Sequence, residues 1–298
     1  MNGYWIGVSV TILASFSWAL AAIFYRKALI KESSPLVTNL LRAPIAVLVF
    51  LIITLLNGKI NILISSLFNP SIAIPLLIAT IIANIVGDTL YLLAIRNVGV
   101  SVSYPLSYSY PIMVAILALI ILHEDIHPSL FIGTIIAFVG IWMISWRQKI
   151  NRKEDKNFKI GALAAIGAAT SWALAIVLYR ILVMNVDTIV VGTLKLIFLF
   201  SLTLPLALIF VRDSLKRVNR RALVLSMIGG LFGIGIGDWL LYIGLSILGA
   251  GLAAALTVLA PLLSLVLAYL ILKESVTKRM VLGTILIVIG VLIITLIR

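Results

Sequence analysis

Long apolar runs, broken at near-regular intervals by a few polar or charged residues, make up most of this chain. A helix rises 1.5 Å per residue, so crossing a hydrocarbon layer of about 30 Å takes about 17–25 apolar residues. Ten runs meet that length: 4–25, 36–56, 70–95, 100–122, 130–146, 160–179, 188–211, 222–245, 250–272 and 281–297. The pattern predicts ten transmembrane helices with short connectors. One connector is longer and strongly charged, RQKINRKEDKNFK at 147–159, in the middle of the chain. A weakly polar stretch, 60–69, is expected to lie along the interface after the second span.

The runs repeat. SFSWALAAIFYR (15–26) aligns with ATSWALAIVLYR (169–180), seven identities in twelve at an offset of 154. At an offset of 150, Gly87-Asp88 matches Gly237-Asp238, Pro111 matches Pro261, Glu124 matches Glu274, and GTIIAFVG (133–140) matches GTILIVIG (283–290). Apolar segments resemble one another cheaply, but polar, Gly and Pro landmarks in the same order do not. The chain reads as an all-α membrane protein of two five-helix units, 1–147 and 159–298, joined by a charged linker at 148–158.

Five spans per copy is an odd number, so the second copy enters from the opposite face. The charges agree with that inversion. Arg212, Lys216, Arg217, Arg220 and Arg221 fill loop 7–8, whereas its equivalent, loop 2–3, has Lys59 alone. The odd-numbered connectors carry eighteen Lys and Arg, the opposite side only Lys59, Arg180 and Arg298. Basic residues accumulate on the cytoplasmic side, so both termini are predicted outside and the linker in the cytoplasm.

Composition narrows the class further. The chain is 63% apolar and 11% charged, against about 25% charged for a soluble domain, so lipid and not water must cover most of it. The net charge of +13 lies between apolar spans, where it reports orientation and headgroup contact, and no nucleic-acid partner is expected. Absence of cysteine excludes disulfides and thiolate chemistry. His123 and His127 are four apart, a helical ligand spacing, but they sit in a short solvated loop beside Glu124 and Asp125. Neither a metal nor a cofactor is called for.

Four charges fall inside spans: Arg42, Asp88, Lys195 and Asp238, one cation on the second helix and one carboxylate on the third helix of each copy. Either they form a proton or substrate site, or they pair internally. Arg42 lies roughly 10 Å and Asp88 roughly 12 Å deep from one face, and Lys195 and Asp238 match likewise from the other. An unpaired charge near a helix centre costs about 2.5–3.5 kcal/mol. Contacts Arg42–Asp88 and Lys195–Asp238 are therefore expected, one near each mouth of a pathway, and they would act as gates if one copy rocks against the other.

On the fourth helix Ser101, Tyr104, Tyr108 and Pro111 share a face, with Ser107 alongside. Pro111 cannot donate to the carbonyl of Ser107, nor Pro261 to that of Thr257, so each copy is expected to carry a freed carbonyl and a hydroxyl on one residue. Interrupted helices of this kind build transporter sites, though a local kink satisfied by the Ser or Thr explains the same residues. Copy one is aromatic here; copy two is small, with Gly251, Ala254, Thr257 and Val258. Trp18 and Trp172 lie too deep for an interface belt and each indole N–H needs a partner. Trp18, Tyr104, Ser107, Tyr108, Pro111, Trp172, Thr257 and Pro261 are the expected cavity residues. Gly133, Gly140, Gly283 and Gly290, spaced seven apart, suit close helix packing.

The repeated S-W-A-L, the Pro of the fourth helix, and L-x-E (Leu122-His123-Glu124, Leu272-Lys273-Glu274) before a G-T helix form a pattern. Over essentially its whole length the chain resembles the ten-helix EamA-type members of the drug/metabolite transporter superfamily. The resemblance implies a non-enzymatic exporter or exchanger of small polar metabolites such as amino acids, in a cell membrane, alternating access around a central cavity between the repeats. It implies a small-molecule substrate, a coupling proton or counter-substrate, and the bilayer as partners. The external termini depart from many bacterial members. A channel or nontransporting scaffold is the competing class. Gly235-Ile236-Gly237-Asp238 also spells G-x-G-D, a signature of intramembrane aspartyl proteases, with Asp88 as a second carboxylate. Copy one reads Ile85-Val86-Gly87-Asp88, so the motif is a duplicated landmark, and the Pro-Ala-Leu element is absent.

Overall fold

The computed structural model describes residues 2–28, 35–98, 103, 106–145, 155–216, 218–273 and 277–297, and among these every regular element is helical. The first half contains α1 (Asn2–Ala28), α2 (Pro35–Arg42), α3 (Pro44–Leu56), α4 (Ile60–Phe68), α5 (Pro70–Thr80), a π-helical turn (Ile81–Gly87), α6 (Asp88–Val98), α7 (Tyr110–Ile121) and α8 (Pro128–Ser145). The second contains α9 (Asp155–Val183), α10 (Thr188–Phe210), α11 (Arg212–Lys216), α12 (Arg220–Gly230), a π-helical turn (Leu231–Gly237), α13 (Asp238–Leu248), α14 (Ala250–Leu256), α15 (Leu259–Leu272) and α16 (Lys278–Leu296).

Seven helices among the described residues are long and apolar enough to cross a membrane: Gly3–Tyr25, Pro70–Ile95, Phe158–Val183, Thr188–Phe210, Arg220–Leu248, Ala250–Ile271 and Lys278–Leu296. The bent pair Leu40–Leu56 and Ile60–Phe68 makes eight if counted as one span. The expected span 36–56 is interrupted at Ala43, because Pro44 has no N–H to continue the ladder. It then ends at Gly58, whose φ of +68° suits glycine, and α4 leaves at 117°. The expected spans 100–122 and 130–146 contribute the shorter apolar helices Tyr110–Ile121 and Pro128–Ile144. Large apolar side chains such as Leu56, Phe68, Leu163, Ile209 and Phe210 point outward, the reverse of a soluble fold. This is a multi-pass membrane protein.

Caps and connectors tie the halves together. Asn69 accepts from Ser71 N at the head of α5, and Asn219, 150 residues on, accepts from Ala222 N at the head of α12. Asp187 caps α10 through Ile189 N at 3.0 Å while its other oxygen takes Lys59 Nζ at 2.6 Å. The helix packing is crossed. α1 packs on α12, the second π turn, α13 and α15, whereas α9 packs on α5, the first π turn, α6 and α7. α8 and α16 lie against each other antiparallel. A Cβ on Gly133 would stand 2.5 Å from Gly290 O, and one on Gly140 2.5 Å from Gly283 O, so the glycines let two backbones touch.

Candidate functional site

The helix Pro70–Ile95 of the first half and the helix Arg220–Leu248 of the second carry the first group of residues. In both, a π-helical turn ends on a glycine and hands over to an aspartate: Gly87 to Asp88 and Gly237 to Asp238. π turns are rare and local, and they re-aim the residues that follow. The glycines have a definite task. A Cβ on Gly87 would lie 2.9 Å from Trp172 Nε1, and one on Gly237 2.5 Å from Trp18 Cδ1. Each glycine is a slot for the indole of the other half.

The aspartate beside the slot accepts that indole. Trp172 Nε1 donates to Asp88 Oδ1 at 3.1 Å, and Trp18 Nε1 to Asp238 Oδ1 at 2.9 Å. The second oxygen of each aspartate takes a cation from its own half, Arg42 Nη2 on Asp88 Oδ2 and Lys195 Nζ on Asp238 Oδ2. Lys195 also donates to Ile234 O at 3.1 Å. A cation, a carboxylate and a crossed-over indole thus form one clasp, built twice. Arg42 interacts electrostatically with Asp238 as well as Asp88, and Lys195 with Asp88 and Arg42, so the four charges make one neutral cluster. Neutrality is what makes such a group tolerable in hydrocarbon.

Beside the first clasp is a set of aromatic rings. Trp172 meets Tyr91 at 5.3 Å and Tyr110, edge to face, at 6.0 Å, and Tyr110 meets Tyr108 at 5.8 Å. The Tyr110 hydroxyl bonds that of Thr257, which in turn donates to Ala254 O at 2.6 Å. Ser107 is buried and donates to Ala165 O at 3.3 Å. Pro111 sits in the first turn of α7, where a missing N–H breaks nothing, and the helix is interrupted at Tyr108 and Ser109 just before it. The carbonyl of Thr257 is not free as expected: the turn tightens by one residue and Ala260 N reaches it at 3.0 Å. Pro261 is buried; Tyr104 lies outside the described residues. Of the expected cavity residues, Trp172, Tyr108 and Thr257 are therefore brought together through Tyr110, while Trp18 belongs to the other clasp.

Glu124, a repeated landmark in the sequence, and Arg180, a loop charge, join the halves at one end. Arg180 Nε donates to Glu124 Oε1 at 3.1 Å, and Nη1 donates to the carbonyls of Leu245 (2.7 Å) and Ser246 (3.2 Å) at the end of α13. Glu124 accepts Ala250 N at 2.8 Å and Gly251 N at 3.1 Å at the start of α14. Cation at a helix end, carboxylate at a helix start: both follow the backbone dipoles. Gly249 between them has φ +86°, and a Cβ there would meet Glu124 Oε1 at 2.8 Å. The signal was present, since Arg26 and Glu274 repeat the pair in sequence, although Glu274 lies outside the described residues. Above this pair opens a cavity of about 460 Å³, lined in part by Asp125, His127, Leu248, Leu252 and Ile294. None of the expected cavity residues borders it.

Comparison with known proteins bears on this arrangement. The model of the EamA-like transporter family matches residues 5–146 and again 159–296. An "uncharacterized transporter" of Archaeoglobus fulgidus is 24% identical over 289 residues, covering 97% of this chain and 98% of its own. The "uncharacterized transporter YoaV" of Bacillus subtilis is 24% identical over 186 residues, 62% of this chain and 63% of its own. A protein crystal structure superposes with a TM-score of 0.79 at 19% identity, covering 99% of this chain and 98% of that one, a likeness of fold.

Proposed function

The chain belongs to the EamA-like transporter family, and from that premise we propose that it is a secondary carrier of small polar metabolites such as amino acids. It works by alternating access between two five-helix units, 1–147 and 159–298, inverted relative to each other and linked by 148–158, ten spans in all. Both termini face away from the cytoplasm, as the Lys and Arg distribution requires.

The observation that carries the reading is the reciprocal clasp. Each half offers its third-helix aspartate to the first-helix tryptophan of the other, so the boundary between halves runs through two matched, polar, breakable contacts. An interface meant only to hold would be dry and close-packed, like Gly133 and Gly140 against Gly290 and Gly283. The antiparallel run of α8 and α16, equivalent helices, supports inversion. The residues of the pathway are Trp18, Tyr104, Ser107, Tyr108, Pro111, Trp172, Thr257 and Pro261, with Arg42, Asp88, Lys195 and Asp238 as the pairs that part and re-form. A coupling proton or a counter-substrate drives the exchange. The protease reading fares poorly because a catalytic dyad shares a proton between two carboxylates. Here both oxygens of each aspartate are taken by an indole and a cation.

Counterflow in proteoliposomes tests the proposal. Vesicles preloaded with unlabelled substrate should accumulate labelled substrate faster than empty vesicles, for at least one amino acid in a panel. Uptake indifferent to the loaded side would indicate a channel. Absence of uptake across amino acids and other small polar metabolites would leave a scaffold.

A further inference from the structure

We propose that the cavity at the Glu124 end is a docking site for a small zwitterion with an aliphatic side chain, an α-amino acid of the leucine type, separate from any site between the clasps. Its volume, about 460 Å³, falls within the roughly 300–1,000 Å³ of small-molecule sites. The lining divides by chemistry. Arg180 has Nε and Nη1 committed to Glu124 and to the carbonyls of Leu245 and Ser246, while Nη2 makes no hydrogen bond among the described residues. That edge suits a carboxylate. Glu124 is fully engaged by Arg180 and two backbone N–H groups, so the pair is neutral and Asp125 is left as the uncompensated charge. Asp125 is exposed and forms no ion pair among the described residues, and it suits an ammonium. Leu248, Leu252 and Ile294 supply an apolar wall for a branched side chain. A lone cation would leave Nη2 unused, and a lone anion would face Asp125; a zwitterion satisfies both.

The site deepens the carrier reading as a station at one mouth of the pathway, yet it can be tested apart from it. Calorimetric titration of the full chain in nanodiscs compares three probes: L-leucine, 3-methylbutylamine, which lacks the carboxylate, and 4-methylpentanoate, which lacks the ammonium. Leucine should bind about tenfold or more tightly than either half-probe, the value of one charged hydrogen bond. Asp125→Asn should weaken leucine about tenfold, and Leu252→Trp, which fills the cavity from a wall without charge, should abolish binding while the unfolding midpoint stays near wild type. Leucine no tighter than the amine, binding indifferent to both variants, or no binding at all would each overturn the site. Trans-stimulation in wild-type vesicles without leucine binding would remove this site and keep the carrier. Leucine binding here, with no trans-stimulation for any substrate, would remove the carrier and keep the site.

Discussion

In the second half of the chain Lys195 is almost wholly enclosed, its side chain 1% exposed, and donates both to Asp238 and to the Ile234 carbonyl. In the first half Arg42 is 12% exposed, and its Nε, though buried, has no acceptor among the described residues. The surroundings differ in the same sense. Tyr91, Tyr108 and Tyr110, which gather at Trp172, become Leu241, Val258 and Ala260 at the equivalent positions, an offset of 150. One plan has therefore been fitted out twice. The lysine clasp is a sealed joint between helices; the arginine clasp is the more open one, with one donor unfilled among the described residues. Both halves keep tyrosines near their clasp, but at different positions: Tyr179 and Tyr242 meet at 4.9 Å in the second, and Tyr242 stands where the first half has Leu92.

The sharpest way to break this comparison is to remove each carboxylate. Asp238→Ala strands an ammonium in a dry site and should destabilise by about 3–5 kcal/mol. Asp88→Ala leaves a guanidinium nearer to water and should cost less, about 1–3 kcal/mol. Thermal unfolding of the two variants in one detergent measures the difference, and equal losses would end the distinction between sealed and open clasps.

A smaller effect is expected at the indole slots. Gly237→Ala places a methyl 2.5 Å from Trp18, against 2.9 Å from Trp172 for Gly87→Ala. Overpacking costs about 1–3 kcal/mol, while alanine returns about 1 kcal/mol of helix propensity. Gly237→Ala should lower the unfolding midpoint, and Gly87→Ala should shift it less; tryptophan emission read in the same samples will report whether either indole is displaced. The reverse order would place the tighter slot in the first half.

Least affected should be the hydroxyl pair of Tyr110 and Thr257, found in one orientation only because Ala260 stands where the second tyrosine would be. Tyr110→Phe should cost about 1 kcal/mol, and Tyr110→Phe with Thr257→Val no more than the larger single loss. Strict additivity in unfolding experiments would show that the two do not act as a pair.

Much of this was legible in the chain. Apolar runs announce helices because a backbone in lipid must satisfy its own hydrogen bonds. Landmarks recurring at a fixed offset announce the duplication, and depth along neighbouring helices relates Arg42 to Asp88 and Lys195 to Asp238, since both are counts of residues at 1.5 Å each. The repeated Gly-Asp was visible as well, though without its reason. Nothing in Ile81–Gly87 or Leu231–Gly237 signals a π turn, because a one-residue change in hydrogen-bond register needs no special residue type.

What the sequence determined by itself is local or periodic: which segments are helical, where proline and glycine interrupt them, which residues recur. Only the tertiary structure decided which half meets which. Trp18 finds Asp238 across 220 residues, Trp172 finds Asp88 across 84, and Glu124 bridges Arg180 to the start of α14. Helices in lipid have no hydrophobic drive toward one partner over another, so close packing and a few polar contacts select the arrangement. Those contacts are properties of two surfaces brought together, and no single stretch of chain contains them.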